Sequence, residues 1–171
     1  MDLDVACGSA VWSIPFAEID KQTRITAQDF PGVLETTGQF VARHGLTDRF
    51  DYLPGDLNQV AFGNDRFDIA ILGNIVHSEG EESSRRLFRR LFPALRSGGR
   101  LVIIEWIAAE DRTGPAPAML FALNMLVHTQ VGDIYTLSEY TDWLHEAGFQ
   151  SVETVDLGPL FHSPIIVATR P

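Results

Sequence analysis

Asp4-Val5-Ala6-Cys7-Gly8-Ser9-Ala10-Val11-Trp12 is the stretch that decides the fold. It reads as the end of a short strand over Leu3 to Ala6, a tight turn of small residues, and an amphipathic helix from Val11 to Ile19. A strand–turn–helix leaves unpaired backbone N–H groups and a helix N-terminus beside whatever lies in the turn. Ala6, Gly8, Ser9 and Ala10 would let a ligand come close to the backbone, as bulky side chains would not. The stretch is therefore expected to be a nucleotide-type binding loop.

Outward from it, strand and helix patterns alternate, which predicts an α/β fold with a largely parallel sheet. A second strand covers Arg24 to Gln28 and ends at Asp29. Pro31 suits the first turn of the next helix, with Val33, Leu34, Phe40 and Val41 on its buried side. Phe50 to Leu53 is a third strand, stopped by Pro54-Gly55-Asp56, and Phe67 to Leu72 is apolar enough for a central fourth. A charged helix from about Glu81 to Leu95 should stop at Ser97-Gly98-Gly99, before a fifth strand over Arg100 to Glu105. Ala116 to Val127 is strongly apolar. Thr136-Leu137-Ser138-Glu139 fits a capping box for a helix ending at Ala147-Gly148-Phe149. Ser151 to Val155 and Pro164 to Thr169, joined by Gly158-Pro159 with no helix between them, should pair antiparallel. No repeat or linker divides the chain, so residues 1–171 are expected to form one domain.

The 171 residues are 45% hydrophobic, and 13 basic residues face 23 acidic ones for a net charge of −10. Such a charge repels phosphate backbones, so nucleic acid is not an expected partner. The basic cluster Arg85, Arg86, Arg89 and Arg90 reads as a solvated helix face. Cys7 is the sole cysteine, which excludes an internal disulfide and fits a reducing compartment. No apolar run approaches the ~20 residues that span a bilayer, and Met1-Asp2-Leu3-Asp4 does not resemble a signal peptide. A cytoplasmic protein without membrane contact is the expectation.

Several landmarks, taken in order, carry a resemblance: Asp4 to Ser9, Asp29-Phe30-Pro31, Pro54-Gly55-Asp56, Asn74-Ile75-Val76-His77, Ser97 to Leu101, and Gly132-Asp133 to Phe149. The chain resembles the class I S-adenosylmethionine-dependent methyltransferases, closest to the O-methyltransferase branch that modifies small phenolic or polyketide metabolites. That resemblance implies a Rossmann-like open sheet of about seven strands, mostly parallel with an antiparallel last strand and helices on both faces. It implies S-adenosyl-L-methionine as cofactor and a small hydroxylated acceptor. Members of the branch usually carry an N-terminal dimerisation domain that closes one side of the acceptor pocket. The expectation here is the catalytic domain alone, either a truncated product, a homodimer, or a domain whose missing part comes from a partner chain.

By the same resemblance Asp4, Gly8, Ser9, Ala10, Asp29, Phe30, Asp56, Leu57 and Asn74 belong to the cofactor site. Asp29, about 20 residues beyond Gly8, is placed to accept from two ribose hydroxyls; it could instead cap the next helix. Asp56 would face the adenine amine or serve as a turn aspartate. Ala10 stands where glycine is usual, so a positive φ there would cost roughly 1 kcal/mol or more. An acid at this spacing also suits a dinucleotide, but Ala10 and Ser13 fail the G-x-G-x-x-G pattern.

Methyl transfer from a sulfonium leaves two tasks to a protein: aligning the acceptor and removing its proton. His77 matches the catalytic histidine of the family and Glu105 one of the two acids flanking it. Ile134 stands at the other acid, with Asp133 beside it as a substitute. The bland reading of His77 is a histidine in a polar loop with Ser78 and Glu79. Phe121, Asn124, Met125 and His128 would line the acceptor pocket. His44, His145 and His162 lack partners at metal-ligand spacing, so no metal site is expected. Two other readings stay open: a degenerate methyltransferase-like subunit without turnover, and a nicotinamide-dependent enzyme.

Overall fold

The computed structural model describes residues 1–158 and 164–171; Pro159 and His162, named above, lie outside the described residues. The chain runs through β1 (Asp2–Val5), α1 (Ile14–Ile19), β2 (Ile25–Asp29), α2 (Pro31–Arg43), β3 (Phe50–Pro54), β4 (Phe67–Gly73) and α3 (Val76–Ala94). It continues with β5 (Leu95–Ile104), β6 (Ile107–Ala108), α4 (Ala116–His128), β7 (Tyr135–Thr136), α5 (Leu137–Ala147), β8 (Gln150–Val155) and β9 (Ile165–Thr169).

The main sheet has seven strands in the order β3-β2-β1-β4-β5-β9-β8. β1 to β5 are mutually parallel, and β9 lies between β5 and β8, antiparallel to both. The pairing of the last two strands is the expected one. Each face of the sheet has its own apolar cluster because successive side chains point to opposite faces. Leu3 and Val5 of β1 join Leu87, Phe88 and Leu91 of α3 and Tyr140, Trp143 and Leu144 of α5. Ile25 and Ala27 of β2 meet Ile14 and Ala17 of α1 and Leu34 and Val41 of α2 on the other side. Helices thus cover both faces, as an α/β sheet requires.

Three boundaries and one buried position differ from the sequence reading. α1 starts at Ile14, after a turn over residues 11–13, and is only six residues long; Pro15 in its first turn sets that start. On α2, Thr37 takes the buried place expected of Phe40, which is exposed beneath the Arg43 guanidinium. α3 begins at Val76, five residues early, but is broken at Gly80 (φ 76°, ψ 165°). That left-handed φ is open only to glycine at little cost, and it isolates a single turn, Val76–Glu79, ahead of the charged helix. Ser97-Gly98-Gly99 does not end a helix: α3 stops at Ala94, and the glycines form the irregular start of β5, exchanging backbone hydrogen bonds with Arg170. The short parallel pair β6–β7 was not expected. The capping box holds: Thr136 Oγ1 accepts from the Glu139 N–H at 3.2 Å, and Glu139 Oε2 accepts from the Thr136 N–H at 2.7 Å.

Candidate active site

The order of strands reverses between β1 and β4, and the crevice outside their carboxyl ends is where open α/β sheets take ligands. The β1–α1 loop forms one wall. Ala6 (φ 51°), Gly8 (φ 53°) and Ala10 (φ 59°) are all left-handed. Ala10 therefore does carry the expected strain, on the order of 1–2 kcal/mol. Its methyl is fully buried in the smaller cluster, which returns about 0.8 kcal/mol, and glycine would lose further entropy on folding, about 0.5–1 kcal/mol. Ala10→Gly is accordingly expected to change stability by less than about 1 kcal/mol in urea unfolding.

The loop is stapled to the tip of β2. Asp29 Oδ2 accepts from the Gly8 N–H at 2.9 Å and Oδ1 from the Phe30 N–H at 2.7 Å. The Gly8 and Ala10 N–H groups are thus already used, the latter on the Cys7 carbonyl. The backbone N–H groups of Ser9, Val11 and Trp12 have no partner among the described residues. Beneath the loop Asp4 is fully buried; Oδ2 accepts from Ser13 Oγ at 2.5 Å, while Oδ1 has no partner. Burial pushes its carboxyl up to about 7, the Ser13 hydrogen bond opposing it and the Asp29 charge adding to it. Cys7 is buried against Thr37 and its thiol is pushed up to about 12, chiefly by burial, so it is no nucleophile.

Of the other expected cofactor residues, Phe30 and Asn74 are exposed at the ends of β2 and β4, and Asn74 is left-handed (φ 57°). Asp56 caps its own turn, Oδ1 accepting from the Asn58 N–H at 2.8 Å. Leu57 is buried in the main apolar cluster. A network that sequence reading missed ties this loop to α3: Asn58 Nδ2 donates to Glu79 Oε2 at 2.8 Å, and Ser83 Oγ reaches both residues.

The turn isolated by Gly80 carries His77. Its Nδ1 lies 2.8 Å from Glu105 Oε2 and 3.1 Å from Oε1. Glu105 is almost wholly buried, just past β5, and also accepts from the backbone N–H groups of His77 at 3.3 Å and Trp106 at 3.2 Å. The Glu105 carboxylate thus faces the His77 ring nitrogen and two backbone N–H groups. It draws the imidazole proton onto Nδ1 and leaves Nε2 with a free lone pair. Its charge, after burial, helps hold the Tyr140 hydroxyl well above the usual phenol range.

Phe121 packs edge-on against the His77 ring (centroids 4.8 Å) and stacks on Trp106 (5.3 Å). It is the expected pocket residue that the structure brings to the histidine. Trp106 was not anticipated, though its place beside Glu105 is the signal that would have found it. Met125 is buried, whereas Asn124 and His128 are exposed and bonded to each other, Nδ1 of His128 lying 3.0 Å from the Asn124 carbonyl. The outer side of α4 leaves Leu120, Leu123, Leu126 and Val127 exposed. Asp133 does not reach the imidazole. Its N–H donates to the His77 carbonyl at 2.9 Å, while its carboxylate accepts from the Ile134 N–H and pairs with Arg112 at 3.5 Å. The role of second acid therefore has no geometric basis at Asp133, and Ile134 is buried. Among the described residues, no group of three or more His, Cys, Asp or Glu side chains could hold a metal, and no helix is long and apolar enough to cross a membrane.

One reversed strand, second from the edge of an otherwise parallel seven-stranded sheet, with a small-residue loop at the switch point, defines the α/β methyltransferase class. Residues 4–150 match a family described as O-methyltransferase domain, and the chain belongs to that family. A 3-hydroxy-5-methyl-1-naphthoate 3-O-methyltransferase from Streptomyces sahachiroi is 34% identical over 155 residues, covering 90% of this chain and 44% of that protein. An O-methyltransferase family 2 protein from Planctomyces limnophilus, solved with apigenin, superposes with a TM-score of 0.91 at 27% identity over 99% of this chain and 49% of that one. Human N-acetylserotonin methyltransferase, solved with S-adenosylmethionine, gives 0.85 at 26% identity over 99% and 47%. The chain spans about half the length of these relatives.

Proposed function

We propose that this chain binds S-adenosylmethionine and transfers its methyl group to a hydroxyl of a small phenolic or polyketide-like acceptor, with His77 as general base. The observation that carries the reading is the His77–Glu105 pair, held at the carboxyl ends of β4 and β5 beside the β1–α1 loop. The naphthoate enzyme and the apigenin complex support an aromatic hydroxyl as the acceptor.

The residues fit the cofactor. Asp29 presents a fixed acceptor where a ribose diol would lie, and the loop offers unused donors at Ser9, Val11 and Trp12. When bound, the cofactor supplies an activated methyl on a sulfonium, transferred by in-line displacement. His77 Nε2 would take the proton of the acceptor hydroxyl. Glu105 holds the ring and stabilises the resulting imidazolium. Phe121 and Trp106 give an aromatic acceptor a surface to stack on.

Calorimetry with S-adenosylhomocysteine tests the reading at its root. Micromolar binding is expected, and Asp29→Ala should weaken it about tenfold or more, the effect of losing a charged acceptor for two hydroxyls. Millimolar or absent binding by the folded wild-type chain would sink the enzymatic reading for this chain.

A further inference from the structure

We infer that Trp12 forms the wall of the pocket for the amino-acid end of the methyl donor, its indole N–H directed at that end's carboxylate; this rests on the donor reading above. Trp12 lies in the turn between Ala10 and α1 and is half-buried. Its ring packs on Gly73, the last residue of β4. A Cβ built on Gly73 would stand 2.9 Å from Trp12 Cγ and closer still to Cδ1 and Nε1. Only a residue without a Cβ admits an indole there. Leu72, just before Gly73, pairs in register with Val5, so the ring lies over the adjoining ends of β1 and β4. That is the crevice where the strand order reverses.

The indole N–H has no hydrogen-bond partner among the described residues and is not sealed in the interior. With the backbone N–H groups of Ser9, Val11 and Trp12, it makes four unused donors on one short stretch. The side of the loop tied to Asp29 offers the opposite chemistry, a carboxylate acceptor. A ligand with a diol at one end and a carboxylate at the other matches that polarity. Gly73 also leads directly to Asn74 and the His77 turn, so the end of the ligand against Trp12 is the one nearest the base. The indole is thus placed to read the amino-acid end and not the adenosine.

The test compares S-adenosylhomocysteine with 5′-methylthioadenosine, which keeps the adenosine and sulfur but lacks the amino-acid end. Trp12→Leu is expected to weaken S-adenosylhomocysteine about tenfold and leave 5′-methylthioadenosine within about twofold. Trp12→Phe, which keeps a ring and loses the N–H, should give an intermediate loss on the first ligand alone. Gly73→Ala, which displaces the indole from outside, should reproduce the Trp12→Leu loss, and the double variant should add nothing to it. Unchanged or tighter S-adenosylhomocysteine binding in Trp12→Leu overturns the wall, and equal losses on both ligands do so as well. Wild-type affinity in Trp12→Phe overturns the N–H assignment. Wild-type binding with no effect of Trp12 removes this inference only, whereas no binding by the wild-type chain removes the donor reading and this inference with it.

Discussion

Replacing His77 with alanine is expected to lower methyl transfer to a phenolic acceptor by about 10²–10⁴-fold while leaving S-adenosylhomocysteine affinity within about twofold. The split follows from geometry. The imidazole is fixed through Nδ1 on a buried carboxylate, and none of the groups that fit the cofactor depends on it. Glu105→Gln should lose nearly as much for a different reason. An amide offers one acceptor where the carboxylate now serves His77 Nδ1 and the N–H groups of His77 and Trp106, and its NH2 would face one of those donors. Radiolabelled methyl transfer paired with calorimetry on the same samples reads both quantities. More than a tenth of wild-type turnover in His77→Ala would place the base elsewhere. A matching loss of cofactor affinity would make His77 a structural part of the cofactor site.

Asp4→Asn is expected to stabilise the fold at neutral pH and to do so progressively less as pH falls. The folded carboxyl sits at about 7 against an ordinary 3.8. Between those values the folded state holds a proton that the unfolded chain releases, so stability drops as pH rises through the window. The drop is on the order of 4 kcal/mol if the whole shift is expressed. Below about pH 4 both states are protonated and the penalty vanishes. Asparagine is neutral throughout; its carbonyl can keep the Ser13 hydrogen bond while its NH2 takes the place of the orphaned oxygen. Urea unfolding of both proteins from pH 4 to 8 should therefore show a difference that grows with pH and levels above 7. A flat difference would mean that Asp4 is ionised in the fold and finds a partner there.

The order of elements was legible because the strands are short apolar runs and their breaks carry Gly, Pro and Asp, whose backbone preferences act locally. What escaped depended on contacts between distant residues. Gly80 looks like any glycine in a polar stretch, yet its left-handed φ creates the separate turn that carries His77. Ser97-Gly98-Gly99 has the composition of a helix stop, but pairing with Arg170, brought alongside by β9, makes it the start of a strand. In the site, His77 and Glu105 were found at their strand ends because the sheet fixes both. Asp133 was named for its nearness in sequence to the expected acid, which says nothing of direction; its carboxylate pairs with Arg112 and accepts from the Ile134 N–H. Trp12 and Trp106 went unassigned since an aromatic residue shows its role only by what it touches.

The two backbone N–H groups on Asp29 have a kinetic consequence. A free aspartate must surrender rotamer freedom when a ligand arrives, and that ordering is part of the cost of binding. Here the carboxylate is aimed before any encounter, with each oxygen keeping a lone pair for an incoming hydroxyl. Under the proposed function a ribose diol would meet a rigid dock at this position, and a slow step in ligand uptake would have to arise elsewhere along the crevice.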